Sequence, residues 1–173
     1  MKTTSTTLLL TLALTMHGAS AAPPAQAIGQ VAIGAPLRQA TLDPLLGPAR
    51  ELNAYRGKPL VINVWASWCG PCRAEMGSLQ RLAQRYGKQF NVIGVSTDDY
   101  RDRASAFLRG AGIRFPNYID HQLQLEIMLG ADRIPLTLLV DAQGRVLARH
   151  YGSREWDSPQ SVALIASTLR IRP

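Results

Sequence analysis

The feature that most constrains this chain is a pair of cysteines, Cys69 and Cys72, at a point where a predicted strand passes into a predicted helix. The run Pro59–Trp65 is apolar, rich in β-branched residues and interrupted only by Asn63, which predicts a strand buried on both faces of a sheet. Helical spacing of apolar residues then predicts a helix over about 71–86. The 173 residues contain only these two cysteines, so a disulfide framework joining distant parts of the fold is excluded.

The positions of the two sulfurs predict different reactivities. Cys69 lies at or just before the helix start, with Pro71 in the first turn, where unpaired N–H groups and the helix dipole stabilise a thiolate. Cys72 lies one turn further, on the apolar stripe, so we expect a buried and less nucleophilic sulfur. A solvent-facing Cys69 would attack a partner disulfide, and Cys72 would resolve the mixed disulfide. This arrangement indicates catalytic thiol–disulfide exchange.

Three other uses of the cysteine pair fit the sequence less well. Zinc binding needs two more ligands, and His17, His121 and His150 are not paired at ligand spacing. Haem attachment needs a histidine directly after the second cysteine, where this chain has Arg73. A purely structural disulfide that closes so short a loop contributes little stability. We therefore expect no metal and no cofactor, and we expect His121 and His150 at the surface.

The N-terminus predicts export. Lys2, the apolar run Leu8–Leu14 and the small residues Ala19–Ala21 follow the order of a secretory signal, so cleavage is expected after Ala21. An uncleaved leader would instead anchor the chain in a membrane, facing the same compartment, although the run is short for a span of about 20 residues. A periplasm or a comparable exported compartment is oxidising and permits disulfide chemistry. The predicted division of the chain is a signal peptide at 1–21, a linker or extended segment at 22–35 and one domain at 36–173.

The pattern after the predicted helix indicates an α/β fold. The order strand, helix, strand, helix, followed by a hairpin and a last helix, predicts a central mixed sheet flanked by helices on both faces. The further predicted strands are Phe90–Ser96, Leu136–Val140 and Arg145–Tyr151, and the further predicted helices lie near 101–109, near 122–129 and after Ser158. A net charge of +7 carried by scattered arginines indicates a basic soluble surface and no nucleic-acid partner. We expect a monomer.

The segment Trp65-Ala66-Ser67-Trp68-Cys69-Gly70-Pro71-Cys72-Arg73-Ala74-Glu75-Met76 resembles the active-site signature of thioredoxin-like proteins, most closely the exported TlpA/ResA/DsbE branch. The resemblance extends from about Ile28 to the C-terminus and implies a thioredoxin-like fold with an N-terminal extension, a hairpin, and a central insertion near 100–128. It implies protein disulfides as substrates, a membrane or soluble redox partner, and a reducing role such as cytochrome c maturation. An oxidase or isomerase of exported proteins, or a non-catalytic scaffold, remains an alternative.

The resemblance also assigns roles to residues around the pair. Pro135 matches a cis-proline that faces the cysteines, with Ile134 offering backbone contacts to a substrate. From the residues alone, Pro135 could instead be a proline that opens a strand. Trp68, Gly70 and Pro71 complete the expected substrate-binding surface.

Glu75 is the third candidate catalytic residue. It lies three residues after Cys72, so it can lie beside that sulfur on the helix, and partial burial would raise its pKa and suit it to proton exchange. ResA-like proteins have a proton-handling glutamate at this position, although a glutamate in a first turn also simply suits the helix dipole. Asn63 stands where cytoplasmic thioredoxins have a buried aspartate, and an amide cannot transfer protons in that way. We expect Asp98 and Asp99 to cap the following helix.

Overall fold

The computed structural model of this chain describes residues 29–172. The predicted signal peptide, 1–21, and the first part of the predicted linker, 22–28, lie outside the described residues. Within the described range, none of the helices combines the length and the apolar character that crossing a bilayer requires.

Strands and helices alternate along most of the described chain. The strands are β1 (Thr41–Leu46), β2 (Arg50–Glu51), β3 (Leu60–Trp65), β4 (Asn91–Ser96), β5 (Asn117–Ile119), β6 (Leu136–Val140) and β7 (Val146–Tyr151). The helices are α1 (Gly70–Tyr86), α2 (Arg101–Gly110), α3 (Gln124–Leu129) and α4 (Pro159–Leu169), and a 3-10 turn spans Leu52–Tyr55. The predicted strands and helices from Pro59 onward are confirmed, with ends that differ by one or two residues.

The strands form one mixed sheet in the order β2-β1-β5-β4-β3-β6-β7. β3 pairs in parallel with β4, and β4 with β5, whereas β6 and β7 extend the sheet in antiparallel fashion on the other side of β3. All six residues of β3 are buried, as expected for a central strand with a layer on each face. The predicted α/β class and mixed sheet are confirmed.

An apolar cluster covers each face of the sheet. On one face, which we call the helical face, α1, α2 and α4 contribute residues such as Met76 and Ile165. On the other face, α3, the 3-10 turn and the N-terminal segment contribute residues such as Leu129 and Val31. The sheet therefore separates two apolar layers, and the cysteine pair belongs to the helical face.

A row of polar residues and one glycine crosses five strands on the helical face. The strand register aligns Asn63 with Gly94 on one side and Thr137 on the other, then Gly94 with Asn117 and Thr137 with His150. We call these five residues the polar row. Asn63 contacts α1, so the row passes beneath the helix that carries the cysteines.

Several elements were not predicted from the local pattern. β1, β2, the 3-10 turn and β5 were missed, although the N-terminal hairpin that the resemblance implies is present as β1 and β2. The region near 100–128 contains α2, β5 and the start of α3. Residues 29–35, assigned to a linker, contact the domain: Val31 is buried, and its N–H donates to the Met128 carbonyl at 3.0 Å.

Candidate active site

The two cysteines lie at the connection between β3 and α1. Cys69 is the N-cap of α1, with extended backbone (φ −82°, ψ 106°) and Pro71 in the first turn. Asp98, just after β4, holds the preceding loop: its carboxylate accepts hydrogen bonds from Ser67 N–H at 2.8 Å and from Ser67 Oγ–H at 2.5 Å. The hydroxyl of Ser96 donates to the same carboxylate at 2.6 Å. The loop is thus fastened to the neighbouring strand two residues before Cys69.

Cys69 and Cys72 form a disulfide, and the Cys72 N–H lies 3.2 Å from the Cys69 sulfur as a hydrogen-bond donor. Cys69 is 6% exposed and Cys72 is fully buried, so Cys69 is the more exposed of the two, as predicted. The prediction that Cys69 faces solvent is too strong, because both residues belong to the apolar cluster that includes Trp65 and Met76. Access to the pair is therefore limited to a small part of Cys69.

The predicted substrate-binding residues lie near the end of β3 that leads to the cysteines. Trp68 is 69% exposed, and Gly70 and Pro71 are also exposed. The Ile134–Pro135 bond is cis, as the resemblance implies. β6 begins directly after this bond, and its first residue pairs with Val64, so Pro135 lies beside the end of β3 that leads to the cysteines.

Glu75 is buried, with 1% of its surface exposed, and its carboxyl accepts three hydrogen bonds. Asn63 Nδ2 donates to Oε1 at 2.7 Å, whereas Oε2 accepts from the Arg154 backbone N–H and the Trp156 indole N–H, each at 3.0 Å. Burial raises the pKa of Glu75 above its usual value, and the hydrogen bonds and the Arg154 charge offset only part of that rise. A buried carboxyl with a raised pKa is suited to proton exchange, and its proximity to the Cys72 sulfur stays a prediction.

Asn63 connects this carboxyl to the polar row. Asn63 Nδ2 also donates to Thr137 Oγ1 at 3.0 Å, while Asn63 Oδ1 has no hydrogen-bond partner among the described residues. His150 is partly buried, not at the surface as predicted, because its ring lies edge-on to Trp156 with centroids 6.0 Å apart. Burial and the Arg154 charge lower the pKa of His150, which favours the neutral imidazole.

Three contributors to this site were not identified from the sequence. Asp98 was expected to cap α2, but the N-cap of α2 is Tyr100, which makes no side-chain capping bond. The signal that could have identified Asp98 is its position in a polar loop just after the buried strand β4, since functional residues often lie in such loops. Arg154 and Trp156 lie 79 and 81 positions from Glu75, and no local pattern connects residues so far apart.

The disulfide is the candidate redox-active group in the described part of the chain. Among residues 29–172, no three His, Cys, Asp or Glu side chains are grouped so that they could hold a metal ion. Both cysteines are joined to each other, and His121 is exposed in the segment after β5.

Comparison with known proteins gives a consistent set of relatives. A family model described as Redoxin matches residues 32–165. The thiol-disulfide oxidoreductase ResA of Geobacillus thermodenitrificans is 33% identical over 117 residues, which cover 67% of this chain and 67% of that protein. The thiol:disulfide interchange protein DsbE of Vibrio cholerae is 34% identical over 132 residues, covering 73% of this chain and 70% of DsbE.

A solved structure extends the similarity to three dimensions. The crystal structure of a Chlorobium tepidum protein described as a thiol:disulfide interchange protein DsbE superposes with a TM-score of 0.73 and 28% sequence identity. The match covers 80% of this chain and 99% of that one. Together with the family match, it confirms the thioredoxin-like fold that the cysteine motif implies.

Proposed function

We propose that this chain, which belongs to the Redoxin family and is a thiol–disulfide oxidoreductase, reduces disulfide bonds of partner proteins with the dithiol form of Cys69 and Cys72. The observation that carries the proposal is an asymmetric cysteine pair at the start of α1 with a buried carboxyl, Glu75, one turn further along the helix. A second redox protein, membrane-bound or soluble, would return the pair to the dithiol form after each reaction.

The proposed reaction proceeds by two thiolate attacks. The Cys69 thiolate, stabilised by free N–H groups at the start of α1, attacks the substrate disulfide and forms a mixed disulfide, and the displaced thiolate takes up a proton. Cys72 then gives its proton to Glu75 and attacks the Cys69 sulfur. This attack releases the second substrate thiolate, which takes up a proton as Glu75 gives one up. Two electrons move from the cysteine pair to the substrate, and the protein ends as the disulfide.

The residues between the cysteines support the reducing direction. Gly70 and Pro71 resemble the pair found in reducing thioredoxins, whereas an oxidant of the DsbA kind depends on a stabilised reduced form. Equilibration with glutathione should therefore give a reduction potential near that of thioredoxin, about −270 mV. A value near about −120 mV would contradict the proposal and favour an oxidase of exported proteins.

Glu75→Gln tests the proposed proton exchange. Because burial raises the pKa of Glu75, the carboxyl is protonated at low pH and gains the ability to accept the Cys72 proton as the pH rises through that pKa. The rate of model-disulfide reduction should show this rise in the native protein. Glu75→Gln should lose it, together with about 10²-fold in rate above the transition. Stopped-flow rates between about pH 4 and pH 9 provide the measurement.

An exposed glutamate provides the matched control for this variant. Glu155 pairs with Arg81 on the surface, so Glu155→Gln should leave the rate profile unchanged. A carboxyl whose pKa is higher in the folded than in the unfolded protein stabilises the fold fully at pH values below the unfolded pKa. This stabilisation is lost as the pH rises through the folded pKa, where the buried carboxyl ionises, and a neutral glutamine does not ionise. Glu75→Gln should therefore remain folded at neutral pH, which thermal unfolding can verify. Superimposable profiles of Glu75→Gln and the native protein would leave Glu75 with a structural role only.

We also place this activity in an exported compartment. The support is the order of charge, apolar run and small residues that ends at Ala21, since oxidising compartments are where protein disulfides persist. N-terminal sequencing of the exported protein should then find Ala22 as the first residue. A retained Met1 would contradict cleavage and favour the anchored form.

The proposed physiological substrate is an apocytochrome c, as in the related branch. Haem is attached at Cys-x-x-Cys-His segments, whose two cysteines must be reduced beforehand. The reduced protein should therefore reduce an oxidised Cys-x-x-Cys-His peptide about tenfold faster than a scrambled peptide with the same disulfide loop, a preference worth about 1.4 kcal/mol. Equal rates would point to a broader role in thiol maintenance.

A further inference from the structure

The two oxygens of the Glu75 carboxyl have different surroundings. Oε2 accepts from the Arg154 backbone N–H and the Trp156 indole N–H, each at 3.0 Å. Both groups can only donate, so neither can accept a hydrogen bond from a protonated acid. Oε1 accepts from Asn63 Nδ2 at 2.7 Å. When Glu75 gains a proton, keeping both bonds to Oε2 requires that the proton sit on Oε1.

Asn63 is the hydrogen-bond partner that Oε1 has among residues 29–172, and a proton on the Oε1 lone pair that faces Asn63 would point directly at its NH2 group. Two donors facing each other at 2.7 Å cannot form a hydrogen bond, and leaving a buried polar group unpaired is costly. Asn63 is fully buried, so bulk water does not relieve the conflict. A half turn of the amide does, because it exchanges the NH2 group and the oxygen in nearly the same space. The Asn63 oxygen would then accept from the protonated Glu75.

The other contacts of the Asn63 amide permit this half turn. Its Nδ2 also donates to Thr137 Oγ1 at 3.0 Å, and a hydroxyl can rotate to donate to an oxygen as readily as it accepts from an NH2 group. On its far side, Asn63 Oδ1 meets no hydrogen-bond partner within the described chain. No hydrogen bond on that side holds the oxygen in place, so we expect the contacts to Glu75 and Thr137 on the other side to decide between the two orientations.

We propose that Asn63 is a positioning residue whose amide reverses when Glu75 is protonated, so that the carboxyl keeps its hydrogen bond in both states. For its catalytic meaning this inference rests on the proposed proton exchange with Cys72. Because the Asn63 amide reverses, Glu75 can take up the Cys72 proton and give it up again while it keeps its hydrogen bond to Asn63. An aspartate in place of Asn63 would set two carboxylates against each other and would oppose the ionised state.

The charged and titratable groups around Glu75 do not determine the orientation of the Asn63 amide. The Arg154 charge acts on the whole carboxyl, and His150 faces the Trp156 ring from β7 at 6.0 Å. Cys72 lies on the same helix as Glu75. Each of these groups can change how readily Glu75 is protonated, whereas the bond between Oε1 and the amide determines which way the amide faces.

NMR of side-chain amides in the disulfide form of the protein tests the reversal. The cysteines do not titrate in this form, so the outcome is independent of the proposed proton exchange. We expect nuclear Overhauser contacts from the Asn63 NH2 protons to the Thr137 side chain when Glu75 is ionised. These contacts should disappear on protonation, with the same midpoint as the Glu75 carboxyl carbon. Contacts that persist through the Glu75 titration would overturn the inference.

A second buried asparagine of the polar row serves as the internal control. The Asn117 oxygen accepts from the Trp65 indole N–H at 3.0 Å, and its NH2 group donates to the Phe115 carbonyl at 3.0 Å. Neither partner can change between donor and acceptor, so this amide is held in one orientation. Its contacts should stay constant over the pH range in which those of Asn63 change.

Glu75→Gln supplies the matched variant, because it imitates the protonated acid at every pH. The two N–H donors require the glutamine oxygen at the Oε2 position, which directs the glutamine NH2 group at Asn63. The Asn63 amide should then show the reversed contacts throughout the titration. The ionised-state contacts in this variant would overturn the inference. If the reversal is seen while Glu75→Gln leaves the rate profile unchanged, the proposed proton exchange fails and the amide reversal stands.

Discussion

Changing Cys72 to serine is expected to convert the protein into a trap for disulfide-containing partners. Cys69 would still attack and form the mixed disulfide, but no thiol would remain one helical turn away to resolve it. Turnover should fall by at least about 10³-fold, while complexes that reducing agent releases accumulate. Cys69→Ser should lose turnover to a similar extent and accumulate few complexes, because Cys72 is fully buried. Non-reducing electrophoresis of each variant after incubation with a model disulfide protein makes the comparison.

Alkylation of the native protein examines the same division of roles without a substitution. Brief treatment of the reduced protein with iodoacetamide at mildly acidic pH should label Cys69 first, because it retains some exposure and lies at the start of α1. Peptide mapping identifies the labelled residue. First labelling of Cys72, or equal trapping by the two serine variants, would contradict the assigned roles.

Gly94→Ala is expected to destabilise the protein by about 3 kcal/mol, or to prevent folding, although it adds a single methyl group. A Cβ at Gly94 would lie 1.8 Å from Asn117 Oδ1 and 2.9 Å from Trp65 Nε1, far inside any normal contact. Asn117 cannot move aside without giving up its hydrogen bonds to the Trp65 indole and the Phe115 carbonyl. Urea denaturation of the purified variant gives the change in the free energy of unfolding.

Gly77 on α1 provides the control for that substitution. A Cβ there would meet only the end of the Arg81 side chain, at 3.5 Å, which is an ordinary contact. Because alanine favours a helix interior by about 0.5–1 kcal/mol over glycine, Gly77→Ala should be neutral or slightly stabilising. Equal losses for Gly77→Ala and Gly94→Ala would show that the close approach of Asn117 is not the cause.

The strands that the sequence predicts correctly are mainly those buried on both faces. β3, β4 and β6 are largely apolar runs rich in branched residues, so their composition alone identifies them. β1 contains Asp43 and Pro44, and β5 has only three residues. These two strands pair with each other, and the segments involved are far apart in the chain. Local periodicity carries no information about such pairing, so these elements were missed.

The reactive part of the site was also predictable from the sequence, because its residues are close together in the chain. The segment Cys69–Glu75 is local, and the helical spacing within it places its groups relative to one another. The partners that complete the site are distant: Trp156 lies 81 positions from Glu75, and Asp98 lies 31 positions from Ser67. Only the folded sheet brings them together.

The polar row also affects how faithfully the sheet assembles. β3 and β6 are apolar on both faces, so sliding one strand by a single residue would still bury apolar side chains on either side. The same slip would turn Asn63 or Thr137 toward the opposite apolar layer, away from Glu75, and leave its polar group unpaired. Misaligned sheets are therefore penalised during folding by Asn63, which contacts the active-site carboxyl, and by its partner Thr137. A mutation that made this row wholly apolar would remove the signal that distinguishes the native alignment from its nearest competitor.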